Sequence, residues 1–308
     1  ANLHDNTYWS SPVLGSQIQT IFSGVNPSRI FEYKPGDSNP IYEIPGYENY
    51  VHWFNKPSGA MDRGYGYAAE GPAAPVGAGD DYVSPLRHEL TFTGVPNNGT
   101  FSINTYFKGV TDQGIENDNF NLFGNPYPTA INIETFLTSN PVVSQVAIWT
   151  HGTEISGGTG GSYTPADYIY YTSAGPSEPG VTENIGSAQG FMARTIAYGN
   201  ISFNNGLKMI DANNQFFKTE IRKKSDLAKN EEDKLWLRLK DGKEKSGILV
   251  AYLEKATDGL DDRYDAAGGL GEKNISLYSQ MGESKLAIQA LGIFSPEKSV
   301  PLGITVKE

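Results

Sequence analysis

No cysteine occurs in the 308 residues, which removes disulfides, thiolate metal sites and cysteine nucleophiles from consideration. Histidine is nearly as scarce. His4, His52, His88 and His151 are scattered, none belongs to a His-Glu-x-x-His pattern, and no Gly-x-Ser-x-Gly turn accompanies them, so the usual signatures of zinc and serine hydrolases are missing. Basic charge is also in short supply: 24 Lys and Arg stand against 35 Asp and Glu, a net charge of -11, and such a chain repels phosphate backbones and anionic lipid. Nucleic acid is therefore not an expected partner. No apolar run approaches the ~20 residues that span a bilayer as a helix, and Ala1 to Ser10 has neither the basic nor the apolar region of a signal peptide. The chain reads as a mature protein or an internal segment.

What is abundant is glycine (35 residues), tyrosine (18) and proline (18), with only 19% charged residues. This balance suits many short strands joined by turns. Thr7 to Val13 reads as a strand entering a turn. Phe101, Ile103 and Phe107 alternate with polar residues, the period of a half-buried strand. Asn98-Gly99 precedes them and favours a tight turn, so residues 89 to 107 are expected to form a hairpin with Leu90 to Thr93 as the partner. Further strands are expected over Gln145 to Trp149, Tyr168 to Tyr171, Gly190 to Arg194 and Asn200 to Phe203. One short helix is expected over Ile131 to Leu137, after the stiff Asn125-Pro126-Tyr127-Pro128. The glycine-rich stretch 157 to 162 lacks the Lys-Ser/Thr ending of a phosphate loop and reads as a hairpin tip.

Beyond about residue 212 the texture changes. Lys223 to Lys245 is dense in mixed charge, and Lys223 to Asp233 has almost no apolar stripe, the mark of a solvated loop. Strands are expected at Phe216 to Ile221, Leu235 to Leu239, Gly247 to Leu253, Ile275 to Tyr278 and Leu286 to Leu291, at sandwich-like spacing. The fold class is thus all-β in two β-rich domains. Residues 1–210 form a larger irregular domain, and 211–308 an Ig-like β-sandwich lacking its last strands, with the boundary near Gly206 to Asn214. No repeat of 20 to 50 residues points to a propeller or solenoid.

Several ordered motifs carry a resemblance: Trp9-x-Ser11-Pro12-Val13, Gly64-Tyr65-Gly66-Tyr67-Ala68, Phe92 to Gly99, Gly124-Asn125-Pro126-Tyr127-Pro128, Gln189-Gly190-Phe191 and Phe203-Asn204-Asn205. With Ala256 to Ala266, Leu277-Tyr278-Ser279 and Val300-Pro301-Leu302-Gly303 they resemble large secreted, adhesin-like cell-surface proteins of Bacteroidota. The resemblance implies export by the type IX secretion system and an extracellular or outer-surface location. Those proteins typically end in a carboxy-terminal sorting domain, and none follows Glu308 in this sequence.

Two constellations could carry binding chemistry. Asp258, Asp261, Asp262 and Asp265 can converge oxygen ligands on calcium, the one cofactor for which the sequence makes room. The same aspartates can instead bond their own backbone as a structural loop, since the spacing is not that of a helix-loop-helix calcium site. Tyr47, Tyr50, Trp53, Tyr65 and Tyr67 lie in irregular sequence where exposed rings could stack on sugars, while Trp149, Trp236 and the Tyr168 to Tyr171 run read as core. Asp80, Asp81, Glu89 and Asp167 supply acids, but nothing in the sequence pairs them across a cleft as glycoside hydrolysis requires. The expected function is that of a non-catalytic structural or adhesive surface protein, self-assembling into a fibre or layer. Its partners would be other copies, neighbouring domains of a longer chain, or glycans, and the secretion machinery during export. The alternative is a carbohydrate-binding accessory module of a secreted polysaccharide-degrading enzyme.

Overall fold

The computed structural model describes residues 6–37, 52–71, 89–109, 119–150, 168–210, 212, 233–241, 244–268 and 275–306. The fold is all-β. Its first sheet has four strands, with Tyr67–Glu70 between Asn6–Trp9 and Ile30–Tyr33, and Trp53–Asn55 at the edge. A single helical turn, Ile18–Ile21, closes one side, and Ile18, Phe22, Ile30 and Tyr67 form the local core.

The central sheet has five strands. Val143–Trp149 lies in its middle, flanked by Tyr168–Thr172 and Gly190–Thr195, with Phe120–Gly124 and the short Gly175–Pro176 at the edges. The middle strand is buried on both faces, and both of its neighbours run antiparallel to it. One face carries Val146, Ile148, Tyr171 and Phe191 against the helix Ile133–Ser139, through Phe136 and Leu137. That helix begins two residues later than the expected Ile131 to Leu137, because Ala130–Asn132 is spent as a strand and the Asn132 side chain accepts the Thr135 N–H as N-cap. The four strands expected between residues 145 and 203 are all present.

The expected 89 to 107 hairpin does not form. Phe101–Asn104 pairs antiparallel with Asn200–Phe203, placing Phe101 opposite Phe203 and Ile103 opposite Ile201. Leu90 and Phe92 instead pack on the core of the first sheet. The physical reason is that the turn bends elsewhere: Gly99 has the positive φ expected of it, but Asn97 is tied to the first strand region by its N–H to Pro12 O and its Nδ2 to Ser11 O. Long-range aromatic packing of Phe101 on Phe203, stacked at 5.4 Å, outweighs the local turn preference.

The strands after residue 233 join one hydrogen-bonded series in the order Lys234–Asp241, Glu244–Tyr252, Ser284–Leu291, Ile275–Met281 and Leu302–Val306, with the short Ala266–Ala267 also on Ser284–Leu291. Glu244–Tyr252 and Ser284–Leu291 run parallel. Alternation divides this sheet into two faces. On one, Ile248, Val250 and Leu291 form a small core with Leu237, Leu277 and Val300. On the other, Leu249, Ala251, Ile288 and Ala290 meet Leu122, Ala147, Tyr170 and Met192 of the central sheet in a single apolar layer. Each large side chain moved from water into that layer contributes about 1.5–3 kcal/mol, so the layer binds described residues before 210 to described residues after 233. Trp236 adds a hydrogen bond to Pro176 O at 3.0 Å, and Arg238 a salt bridge to Glu178 at 2.6 Å. The expected loop over Lys223 to Asp233 and the expected strand Phe216 to Ile221 lie outside the described residues, apart from Asp233 itself, as does the glycine-rich 157 to 162.

Candidate functional site

The motifs singled out in the sequence converge in space. Gly124 and Gly190 stand opposite each other across two central-sheet strands, and the first strand passes directly over them. A Cβ on Gly124 would collide with the Ser10 side chain, and one on Gly190 would come within 2.8 Å of Tyr8 Cβ and 3.0 Å of its carbonyl carbon. Both glycines are needed because two backbones approach where no side chain fits. Asn125, fully buried, then donates to Thr129 O, Ile185 O and Gly186 O at 2.8 to 3.1 Å and accepts from Tyr127 N–H. Gln189 accepts the Gly186 N–H, and its own carbonyl accepts the Asn125 N–H. Tyr127 donates to Gly99 O at 2.7 Å, and burial pushes its phenol up to about 12. Asn205 accepts the Gly99 N–H, and Asn97 closes the ring through Ser11. Apart from Asn97 Oδ1, which is buried without a hydrogen-bond partner, the side-chain amides named in this knot bond to neighbours within the chain, so its chemistry is that of a fastening.

The acidic loop has the same character. Asp265 is 3% exposed and accepts Ala290 N–H and Asp261 N–H, both at 2.7 Å. Burial raises its carboxyl to about 6, against the opposing effect of those two bonds. Asp261 accepts Thr257 N–H at 2.5 Å. Asp258 accepts from Lys298 Nζ at 2.5 Å and Gly292 N–H at 3.1 Å, and the Lys298 bond holds its carboxyl below the ordinary range. Asp262 faces Arg194 of the central sheet, with Nη1 3.9 Å from its Oδ1. The four carboxylates thus point to four different partners. Among the described residues no group of three or more His, Asp or Glu is placed to hold a metal ion. The loop also reaches the central sheet through Thr172 Oγ1 to Tyr264 O and Ser173 N–H to Arg263 O, so its carboxylates sit at the junction of the two sheets. Sequence reasoning overlooked Arg194. An arginine inside an otherwise uncharged strand, Gly190–Thr195, was the available signal, and its burial lowers the guanidinium below its ordinary value despite Asp262.

Of the aromatic candidates, Tyr47 and Tyr50 lie outside the described residues. Tyr67 is buried at 3%, its hydroxyl accepting Asp62 N–H, which takes its ring out of reach of a ligand. Tyr65 is 41% exposed. Trp53 is partly buried, with Tyr8 at 5.7 Å and Tyr33 edge-on at 5.1 Å. Tyr8 in turn meets Trp149 and Tyr168, and its hydroxyl lies 2.5 Å from that of Tyr168. Burial pushes the Tyr168 phenol well above its usual value. These rings meet at angles of 31 to 75°. Their packing is that of a core edge, in contrast to the open row of parallel faces that a sugar platform presents. His52, the one histidine among the described residues, lies edge-on to Tyr33, its Nδ1 2.8 Å from Asp37 O. The acids Asp80, Asp81 and Asp167 lie outside the described residues.

Residues 1–308 match the family model of a Domain of unknown function (DUF8693). No curated protein and no solved structure matches the chain.

Proposed function

Since the chain belongs to the DUF8693 family over residues 1–308, its role has to be read from its own side chains, and we propose that it is a non-catalytic structural or adhesive module. It works outside the cell, on a surface protein of the Bacteroidota type exported by the type IX system. The observation that carries this reading is the use made of the polar residues. Asn125, Gln189, Asp261 and Asp265 all bond to backbone within the chain, Asp258 bonds to Lys298, and Asp262 faces the Arg194 guanidinium at 3.9 Å. Residues spent in this way maintain a shape, and the shape is shared by two sheets through one apolar layer. Calcium is not required for such a loop, because its carboxylates have protein partners.

The carbohydrate-binding alternative rests on Tyr65, whose ring is the exposed one among the three described candidates. Electron microscopy and solution mass of the native preparation, with and without a calcium chelator, test the structural reading. Ordered fibres or layers that survive the chelator are the expected result. A monomer at all concentrations that is retained on a glycan array, and loses retention with Tyr65→Ala, would replace it with the sugar-binding role.

A further inference from the structure

Two polar side chains lie on the face of the central sheet that meets the carboxy-terminal strands. Met192 and Ala147 stand opposite each other in the shared apolar layer, and two residues away on each strand Arg194 stands opposite Gln145. Side chains two apart on a strand share a face, so Arg194 and Gln145 turn toward the carboxy-terminal sheet. Gln145 is 0% exposed and Arg194 5%. Neither end of the Gln145 carboxamide, Nε2 or Oε1, has a hydrogen-bond partner within the chain, and the Arg194 Nε–H has none either.

The acidic loop crosses the same end of the sheet. Ser173 N–H donates to Arg263 O at 3.0 Å and Thr172 Oγ1 to Tyr264 O at 2.9 Å, while Asp262 Oδ1 lies 3.9 Å from Arg194 Nη1. That last separation is too long for a hydrogen bond, and a polar contact at such a distance is the kind that water mediates. The register of the two strands also slips between Arg194 and Thr195, and a bulge of this sort re-aims the side chains beside it. Leaving the three buried atoms dry would be costly, because an amide or a guanidinium taken out of water without a bond loses its hydration and gains nothing in exchange.

We propose that Gln145 and Arg194 form a binding site for internal water beneath the acidic loop, at the joint between the two sheets. The chemistry of the two side chains identifies the occupant. Asp262 offsets the charge of Arg194, and the carboxamide is neutral and both donates and accepts, so the ligand is a neutral molecule that can do the same. Burial of both side chains restricts it to the smallest such molecule. Internal water makes about 2–4 hydrogen bonds to buried polar groups that lack other partners. A water here accepts the Arg194 Nε–H and either donates to Gln145 Oε1 or accepts from its Nε2. The site is independent of the self-assembly reading and stands or falls without it.

The test is a crystal structure of the 308-residue chain at a resolution that shows ordered water, together with chemical denaturation of the natural sequence, Gln145→Met, Arg194→Met and the double variant. Methionine keeps nearly the length and volume of glutamine and removes its polar atoms. The expected result is a water peak about 2.7–3.2 Å from both the Gln145 carboxamide and Arg194 Nε. Gln145→Met should lower the folding equilibrium constant about fivefold or more, since the water and the Arg194 Nε–H lose a partner, and should lower it less in the Arg194→Met background. A dry carboxamide has the opposite sign: methionine would then remove two unpaired polar atoms, and folding would strengthen. A rise in stability with Gln145→Met therefore overturns the proposal. So does a direct Gln145–Arg194 hydrogen bond with no density between the two side chains, or an ion in place of the water. Should Gln145→Met fail to fold, the density in the natural protein decides on its own.

Discussion

Replacing Asp265 by alanine tests whether the acidic loop is a fastening or a metal site. The carboxylate accepts Ala290 N–H and Asp261 N–H, each at 2.7 Å, from a position 3% exposed. Hydrogen bonds to a charged group contribute about 1.5–3 kcal/mol each, and the buried Ala290 N–H would be left without an acceptor. Against this stands the desolvation of the carboxylate, which lifts its pKa to about 6. That shift corresponds to about 2 kcal/mol once solvent screening is allowed for. The net expectation for Asp265→Ala at pH 7 is a loss of about 2–4 kcal/mol, read as a lower urea midpoint at constant m-value. The pH dependence has a definite sign. Because the folded pKa lies above the unfolded one, the native state binds the extra proton between about pH 4 and pH 6, and stability falls as pH rises through that window. Asp265→Ala lacks this component, so its deficit relative to the natural protein should be larger near pH 4 than at pH 7. Neither difference should respond to calcium or to a chelator. A change below about 0.5 kcal/mol, or a deficit that appears only when calcium is present, would refute the fastening and make the loop a metal site.

Other expectations follow from the motif knot. Asn125→Ala removes from a fully buried site the amide nitrogen that serves three backbone carbonyls and the oxygen that accepts the Tyr127 N–H, and should cost about 3–5 kcal/mol, seen as a large drop in thermal midpoint. Gly124→Ala sets a Cβ into the Ser10 side chain, with Tyr65 O also close. It should destabilise by about 1–3 kcal/mol, and protection from hydrogen exchange should be lost first in Asn6–Trp9. Lys298→Ala, which removes the partly buried partner of the exposed Asp258, should change stability by no more than about 1 kcal/mol; a larger loss in a chemical denaturation series would mean that the loop depends on this pair.

Much of the architecture was legible in the sequence because it is set by short-range period. Alternation in Leu235 to Leu239 and the short apolar run in Gln145 to Trp149 are properties of the strands themselves, and these strands appear where expected. The motifs that carry the resemblance were legible as residue types: glycines, asparagines and prolines at fixed spacings announce close backbone approach and tight turns. What they announced was contact, without its address. The pairing of Phe101–Asn104 with Asn200–Phe203 spans nearly a hundred residues, and no local signal at Asn98-Gly99 could reveal that Asn97 is claimed by Ser11 and Pro12.

The sequence by itself determined the all-β class, the absence of thiol chemistry and the acidic balance, since these depend only on composition and on the two-residue period of a strand. Tertiary structure alone decided that the four aspartates diverge to separate partners, that Tyr67 is core while Tyr65 is exposed, and that the two sheets share one apolar layer. The physical reason is that a carboxylate or a ring acquires its role from what desolvates it and what it bonds, and those neighbours come from strands far apart in the chain.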